Sequence, residues 1–352
     1  VETTMMKNKS YPGRLNKRAR KSYGIYAKLA ELQMLAACAK TIRYVMKKKR
    51  NTDIYPGLLK LQTHTDCNGE CIICPHRYIR KMFPRNKMDM ELYKKIVLDF
   101  TSNNKAKDFC LSLHNEPLMD DTIFAKLSFF QENNIHGIPC VISTNGTLLN
   151  KEMCNKLIKS GVDIIQISVN GSNRSDYELI SGGKNYEELM SNINYFLMQD
   201  LSKIGVIVSF VSIAQFKKER KHAMKKWRKL GITAIVHHLS NRGGALKDYD
   251  RYAVLTKNIF SARKIINALI HSVVPCCPYP FHQMCILSDG RAILCSHDWE
   301  RKTIIGDLNK QTIHEIWNSD KLNEIRLKII AGRYDEIAAC KECSVYKTYA
   351  RL

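Results

Sequence analysis

No run in this chain is long and apolar enough to span a bilayer, and no hydrophobic export signal stands near its N-terminus. The first absence excludes an integral helical membrane protein. The second argues against an oxidising compartment, so the thirteen cysteines read as metal ligands and buried thiols rather than disulfides, and the expected location is the cytoplasm. No internal repeat or low-complexity linker divides the 352 residues, a length that accommodates a large α/β barrel with an appendage. Acidic residues are nearly missing from residues 1–50, where only Glu2 and Glu31 face fourteen Lys and Arg.

That segment supplies about half of the net charge of +23. It can meet nucleic acid, an anionic membrane or a phosphorylated substrate, or simply stay solvated. No RNA-binding module accompanies it, which leaves nucleic acid an unfavoured partner. Ile25, Leu29, Leu32, Ala36, Ala39, Ile42 and Met46 recur at steps of three and four, so they line one helix face. Such a helix packs on the main domain or lies peripherally on a membrane surface. A second basic run, Lys217 to Lys229, reads as a solvated helix face.

From residue 57 the rhythm changes. Short β-branched or apolar runs (Leu58–Thr63, Asp108–Leu113, Pro139–Ser143, Asp163–Val169, Gly205–Ser212 and Ala234–His238) alternate with amphipathic helical runs such as Met90–Thr101, Thr122–Phe130 and Lys151–Lys159. Asn150 is the expected N-cap of the last of these, and Gly161 its stop. Six alternations predict a parallel sheet with right-handed crossovers, too few units to close an eight-stranded barrel. The predicted fold is therefore α/β, a partial (β/α)6 barrel behind an N-terminal basic helical extension. Polar groups follow five of the six strands: the Cys67 loop, His114-Asn115-Glu116-Pro117, Thr144-Asn145-Gly146, Asn170-Gly171 and Ser240–Gly244. In parallel α/β architectures the loops at that edge build the site. A long helix is expected from Tyr249 to His271.

The first of these loops reads Cys67-Asn-Gly-Glu-Cys71-Ile-Ile-Cys74. Three thiolates in so short a loop can hold three irons of a [4Fe–4S] cube and leave the fourth open for chemistry. Zinc competes, with His64 or His76 as a fourth ligand.

With its CxxxCxxC loop and ordered strand-end loops, the stretch from about residue 57 to 245 resembles the radical S-adenosylmethionine (SAM) superfamily. That resemblance implies that Cys67, Cys71 and Cys74 bind a cluster whose open iron chelates SAM. It implies that the SAM is reductively cleaved to a hydrogen-abstracting 5′-deoxyadenosyl radical, with flavodoxin or ferredoxin as reductant. The family's Gly-Gly-Glu-Pro here reads His-Asn-Glu-Pro, which keeps Glu116 for the SAM ammonium. Asn145, Ser168 and Asn170 resemble the family's polar contacts to SAM, although Asn-Gly is also ordinary turn chemistry.

Toward the C-terminus Cys277, Cys295, Cys340 and Cys343 are spaced like the shortened, twitch form of a SPASM domain. The resemblance implies one auxiliary [4Fe–4S] cluster on those four, with Cys276 able to replace Cys277 and a Cys₄ zinc site the alternative. Asp289-Gly290 predicts a hairpin that returns Cys295 toward Cys277. Cys285, between them, is a further ligand, a buried thiol, or a catalytic hydrogen-atom donor. The expected domains are 1–56, the basic extension; 57–245, the partial barrel; and 246–352, a small iron–sulfur domain. By resemblance the function is oxidation or epimerisation of a polar small molecule, sugar or aminocyclitol-like. The alternatives are maturation of a ribosomally made peptide and a nucleic-acid-binding iron–sulfur protein.

Overall fold

The computed structural model describes residues 54–253 and 276–349, together with Ala39 and Ile42. Apart from Ala39 and Ile42, which are helical, the N-terminal helix and its membrane reading lie outside the described residues. So does most of the helix expected over 249–271, of which one turn, Tyr249–Tyr252, is seen. Among the described residues no helix is long and apolar enough to cross a membrane.

The strands are β1 (Leu58–Leu61), β2 (Asp108–Cys110), β3 (Cys140–Thr144), β4 (Ile164–Ser168), β5 (Gly205–Ser212), β6 (Thr233–His238), β7 (Gln283–Ile286), β8 (Arg291–Ile293) and β9 (Ile304–Asp307). They form one sheet in the order β6-β5-β4-β3-β2-β1-β7-β8-β9. The six expected strands are present, parallel and consecutive. A seventh parallel strand, β7, joins the free edge of β1 in the register Lys60↔Cys285. The predicted hairpin follows it: β8 returns antiparallel to β7, and Gly290 at its turn has φ 88°.

Helices cover one face of this sheet. Asp89 caps α1 (Met90–Thr101) by accepting from the Glu91 and Leu92 N–H groups, and Asn150 caps α2 (Lys151–Lys159) through Met153 N–H. Gly161, φ 77°, follows as the expected stop. The basic helix α3 (Lys217–Lys229) buries Ala223 and Trp227 and turns most of its lysines to solvent.

Strand alternation sorts the side chains. Leu59, Leu61, Phe109, Ile142, Ile165 and Val208 belong to the core under the helices. Each fully buried aliphatic side chain contributes about 1.5–3 kcal/mol there. At the alternate positions, on the concave face, Val141, Ile164, Ile207 and Ile235 are apolar, whereas toward the carboxyl ends Ser143, Gln166, Ser168, Ser209 and His237 are polar. A barrel interior filled only for stability carries branched apolar residues instead.

Candidate active site at the carboxyl edge of the sheet

The cysteine loop leaves β1 and wraps a small concavity. The sulfurs of Cys67 and Cys71 each lie 3.5 Å from where a Cβ on Gly69 would stand, so both face the same space. Burial, and then the neighbouring thiols, push Cys71 up to about 12; Cys67 rises to about 12 mainly through burial, and Cys74 is raised as well. The protein alone thus keeps these thiols protonated, and a bound cation is what would stabilise them as thiolates.

The loop is anchored on three sides. Glu116 N–H donates to Asp66 O at 2.9 Å, and Ile72 N–H donates to Ile180 O at 3.0 Å. Asn145 Nδ2 donates to Asn68 Oδ1 at 2.8 Å, while Asn68 Nδ2 donates to Thr147 Oγ1 at 3.0 Å. Helix α4 (Arg174–Ser181) ends on Gly182, φ 75°, where a Cβ would stand 2.6 Å from Glu70 O. Only glycine satisfies both the left-handed conformation and that approach.

Glu116 is 2% exposed. Its Oε1 accepts from Thr144 Oγ1 at 2.7 Å and Leu118 N–H at 3.2 Å, and its Oε2 from Asn145 N–H at 2.7 Å. Burial pushes the carboxyl up against the pull of those bonds. The side chain therefore holds the end of β3 against the loop after β2. Asn145 is likewise bound into the loop network, whereas Ser168 Oγ is only 3.5 Å from Ser209 Oγ. Asn170, φ 56°, donates its N–H to Ser209 O at 3.2 Å. The four expected SAM contacts thus share one rim, two of them already bonded to each other's strand ends.

Sequence reasoning missed two groups. Lys184, after the Gly182-Gly183 pair, is close enough to draw down Cys67, Cys71 and Glu116 electrostatically. His114, φ 58°, stacks on Trp299 with ring centroids 3.9 Å apart and donates from Nε2 to Ser296 O at 2.9 Å. Burial takes its pKa to about 3, so the imidazole is neutral.

The second cysteine set comes from the segments that flank the β7–β8 hairpin and from the turn before the last helix. Cys277, Cys295, Cys340 and Cys343 line one pocket, walled by Tyr279, Tyr334 and Tyr346. Cys276 is not among the lining residues. Cys277 N–H donates to Tyr334 Oη at 3.1 Å, and Tyr334 stacks on Tyr346 at 4.4 Å. Arg326 is fully buried and donates to Pro280 O at 3.0 Å and Trp317 O at 2.7 Å, which fastens helix α5 (Asp320–Ile330) to the helical turn before β7. Cys285 does not line this pocket. It is fully buried against Leu113, Leu287 and Ile293, and burial pushes its thiol up to about 12, so it carries its hydrogen.

The first donor set fits an iron–sulfur cluster better than zinc: His76, one candidate fourth ligand, bonds Thr65 O through Nε2 at 3.0 Å. His64 is unavailable as a fourth ligand, because Nε2 bonds Glu116 O at 3.0 Å and Nδ1 accepts from Asp66 N–H at 3.0 Å. Among the described residues no three His, Cys, Asp or Glu converge as a single ion requires.

Comparison with known proteins agrees. Residues 61–213 match the model of the radical SAM superfamily, and residues 273–344 that of SPASM, an iron–sulfur cluster-binding domain. The S-adenosyl-L-methionine-dependent 2-deoxy-scyllo-inosamine dehydrogenase of Niallia circulans is 21% identical over 82% of this chain and 92% of its own. The crystal structure of BtrN with AdoMet and 2-DOIA superposes with a TM-score of 0.54 at 17% identity, covering 83% of this chain and 94% of that one. Streptococcus suis SuiB bound to its precursor peptide SuiA gives 0.61 at 15% identity, over 80% and 69%.

Proposed function

Because this chain belongs to the radical SAM superfamily and binds SAM and two [4Fe–4S] clusters, we propose that it oxidises a carbon of a polar, hydroxyl-bearing small molecule of the sugar or aminocyclitol type. The observation that carries this reading is the row of polar side chains, Ser143, Gln166, Ser168, Ser209 and His237, toward the carboxyl ends of the strands on the face away from the helices. The Niallia circulans relative is a dehydrogenase by name, which supports oxidation over epimerisation.

Cys67, Cys71 and Cys74 would hold the SAM-binding cluster, and Cys277, Cys295, Cys340 and Cys343 the auxiliary one. Bound there, the first would supply, with SAM, the hydrogen-abstracting chemistry, and the second would accept the substrate's remaining electron. The rest is the work of the chain. Glu116 and Asn145 fix the rim on which SAM would lie. Lys184 offsets negative charge at the first site. The His114–Trp299 stack walls the chamber and keeps water from it. Ser168 and Asn170 offer polar contacts on the same edge. Flavodoxin or ferredoxin is the expected reductant, in the cytoplasm.

Anaerobic reconstitution with SAM and a strong reductant tests this reading. 5′-Deoxyadenosine is expected from the native protein and not from the Cys67/Cys71/Cys74 triple-alanine variant. A screen of sugars and aminocyclitols should then raise its yield. Failure of the native protein, with both clusters verified and the screen complete, would overturn the proposal. Tight binding of a leader peptide would move the reading to peptide maturation.

A further inference from the structure

We infer that His297 is a positioning residue of the closed cysteine site, whose Nδ1–H donates a hydrogen bond to a sulfur of the auxiliary cluster and raises that cluster's reduction potential. The inference rests on the proposed function only for the use of the electron that the cluster would take up.

His297 lines the pocket that Cys277, Cys295, Cys340 and Cys343 share. Four sulfurs around one enclosed space fit a cube with no open position. His297 stands two residues after Cys295, and Tyr279, also on the pocket wall, two residues after Cys277. Their rings meet with centroids 4.9 Å apart, so the imidazole belongs to the stretch of wall that these two cysteines border.

The backbone of His297 is fixed by the protein itself. Its N–H lies close enough to the Cys295 sulfur to draw that thiol down against burial, as Tyr279 N–H does at Cys277. Its carbonyl accepts from Trp299 N–H at 3.0 Å. The loop after β6 closes on the same oxygen, where a Cβ on Gly243 would stand 2.8 Å away. The residue is 7% exposed, so the ring has little solvent to turn to. Yet Nδ1 is buried without a hydrogen-bond partner among the described residues. An unpaired buried nitrogen is costly, and the pocket that the ring lines is where a cluster would bring acceptors.

Cluster sulfurs accept hydrogen bonds and do not donate them, so the ring nitrogen that meets them carries the proton. A reduced cluster holds one more negative charge than an oxidised one. A donor fixed beside it therefore stabilises the reduced form more, the more so behind aromatic walls that keep water out.

The test uses the reconstituted holoprotein, with the Cys67/Cys71/Cys74 triple-alanine variant alongside to isolate the auxiliary cluster's signal. The midpoint potential is read by a redox titration followed by electron paramagnetic resonance. His297→Phe keeps a ring against Tyr279 and should lower the reduction equilibrium at least about tenfold, about 59 mV for one electron. His297→Asn, whose amide can stand where Nδ1 does, should restore most of that loss. His297→Gln, which carries its amide further out, should not. Histidine labelled at its ring nitrogens should alter the spin-echo modulation of the reduced cluster in the triple variant, and His297→Phe should abolish that label effect. Iron content and melting temperature of each variant separate a shifted potential from a lost cluster. A potential unchanged in His297→Phe overturns the inference. So does modulation indifferent to the ring label, a readout that stands even where the His297 variants shed their cluster. Formation of 5′-deoxyadenosine is measured in parallel on the holoprotein and depends on the open site, so failure here leaves the proposed function standing.

Discussion

The two cysteine sites are built to opposite plans. The first sits on a loop of eight residues, Cys67 to Cys74, at the open edge of the sheet, with its sulfurs half-buried and only three in number. The second gathers four sulfurs from segments more than sixty residues apart and encloses them in aromatic walls. An iron–sulfur cube needs four ligands to be closed, so a cluster held at the first site would keep a coordination position for a reactant and one held at the second would not. Local sequence therefore suffices for the reactive site, while the closed one depends on the whole C-terminal fold. The first site is correspondingly held by polar contacts to neighbouring loops, and the second by packing.

The sharpest way to break this comparison is to remove each site in turn. Cys67→Ala/Cys71→Ala/Cys74→Ala should abolish 5′-deoxyadenosine formation and lose about half of the bound iron, read by iron analysis. Cys295→Ala should lose the other half and stop substrate oxidation, yet keep SAM cleavage; loss of SAM cleavage there would mean that the two sites are one functional unit.

Next in size is the frame beside the open site. Asp120 and Lys126 form a fully buried pair at 2.6 Å just beyond the Glu116 loop. Burial raises the Asp120 carboxyl, but Lys126 and Thr122 outweigh it and bring the pKa to about 2. Since that is below the ordinary value of 3.8, the pair's stabilisation is present above pH 4 and is lost as pH falls toward about 2. Asp120→Asn, which strands the ammonium, should cost about 3–5 kcal/mol in a chemical unfolding titration.

Gly182→Ala should cost less, about 1–3 kcal/mol from the left-handed backbone and the Glu70 contact. It should lower SAM cleavage by displacing the cysteine loop, while cluster content at the closed site stays whole. The smallest effect is expected at Cys285. If the reaction is oxidation, Cys285→Ala leaves product formation within about twofold and costs the stability of one small cavity. Abolished turnover with solvent deuterium in the native product would instead assign hydrogen return to this thiol.

The barrel and the reactive loop were readable because their signals are local. Met90–Thr101 and Lys151–Lys159 carry helical period and their own caps, and the six strands alternate with them. β7 was not readable: Gln283–Ile286 is buried throughout, so it shows no alternation, and its partner β1 lies more than two hundred residues earlier. The roles of Glu116 and Asn145 were legible only in part. Their position after strands pointed to the rim, but their bonds to Thr144, Leu118 and Asn68 depend on loops folding together. The His114–Trp299 contact joins residues from opposite ends of the fold and has no local trace.

The pairing of β7 with β1 has one more consequence. Appended domains ordinarily rock against their hosts about a linker. Here the appended module shares a hydrogen-bonded ladder with the barrel's first strand, reinforced by Gln62 N–H to Ile286 O and Gly57 N–H to His282 O. The spacing between the two cysteine sites is thus ruled by the sheet itself. Electron transfer between clusters held there would run over a fixed gap, and a change of substrate would have to be met by exchanging side chains instead of opening a hinge.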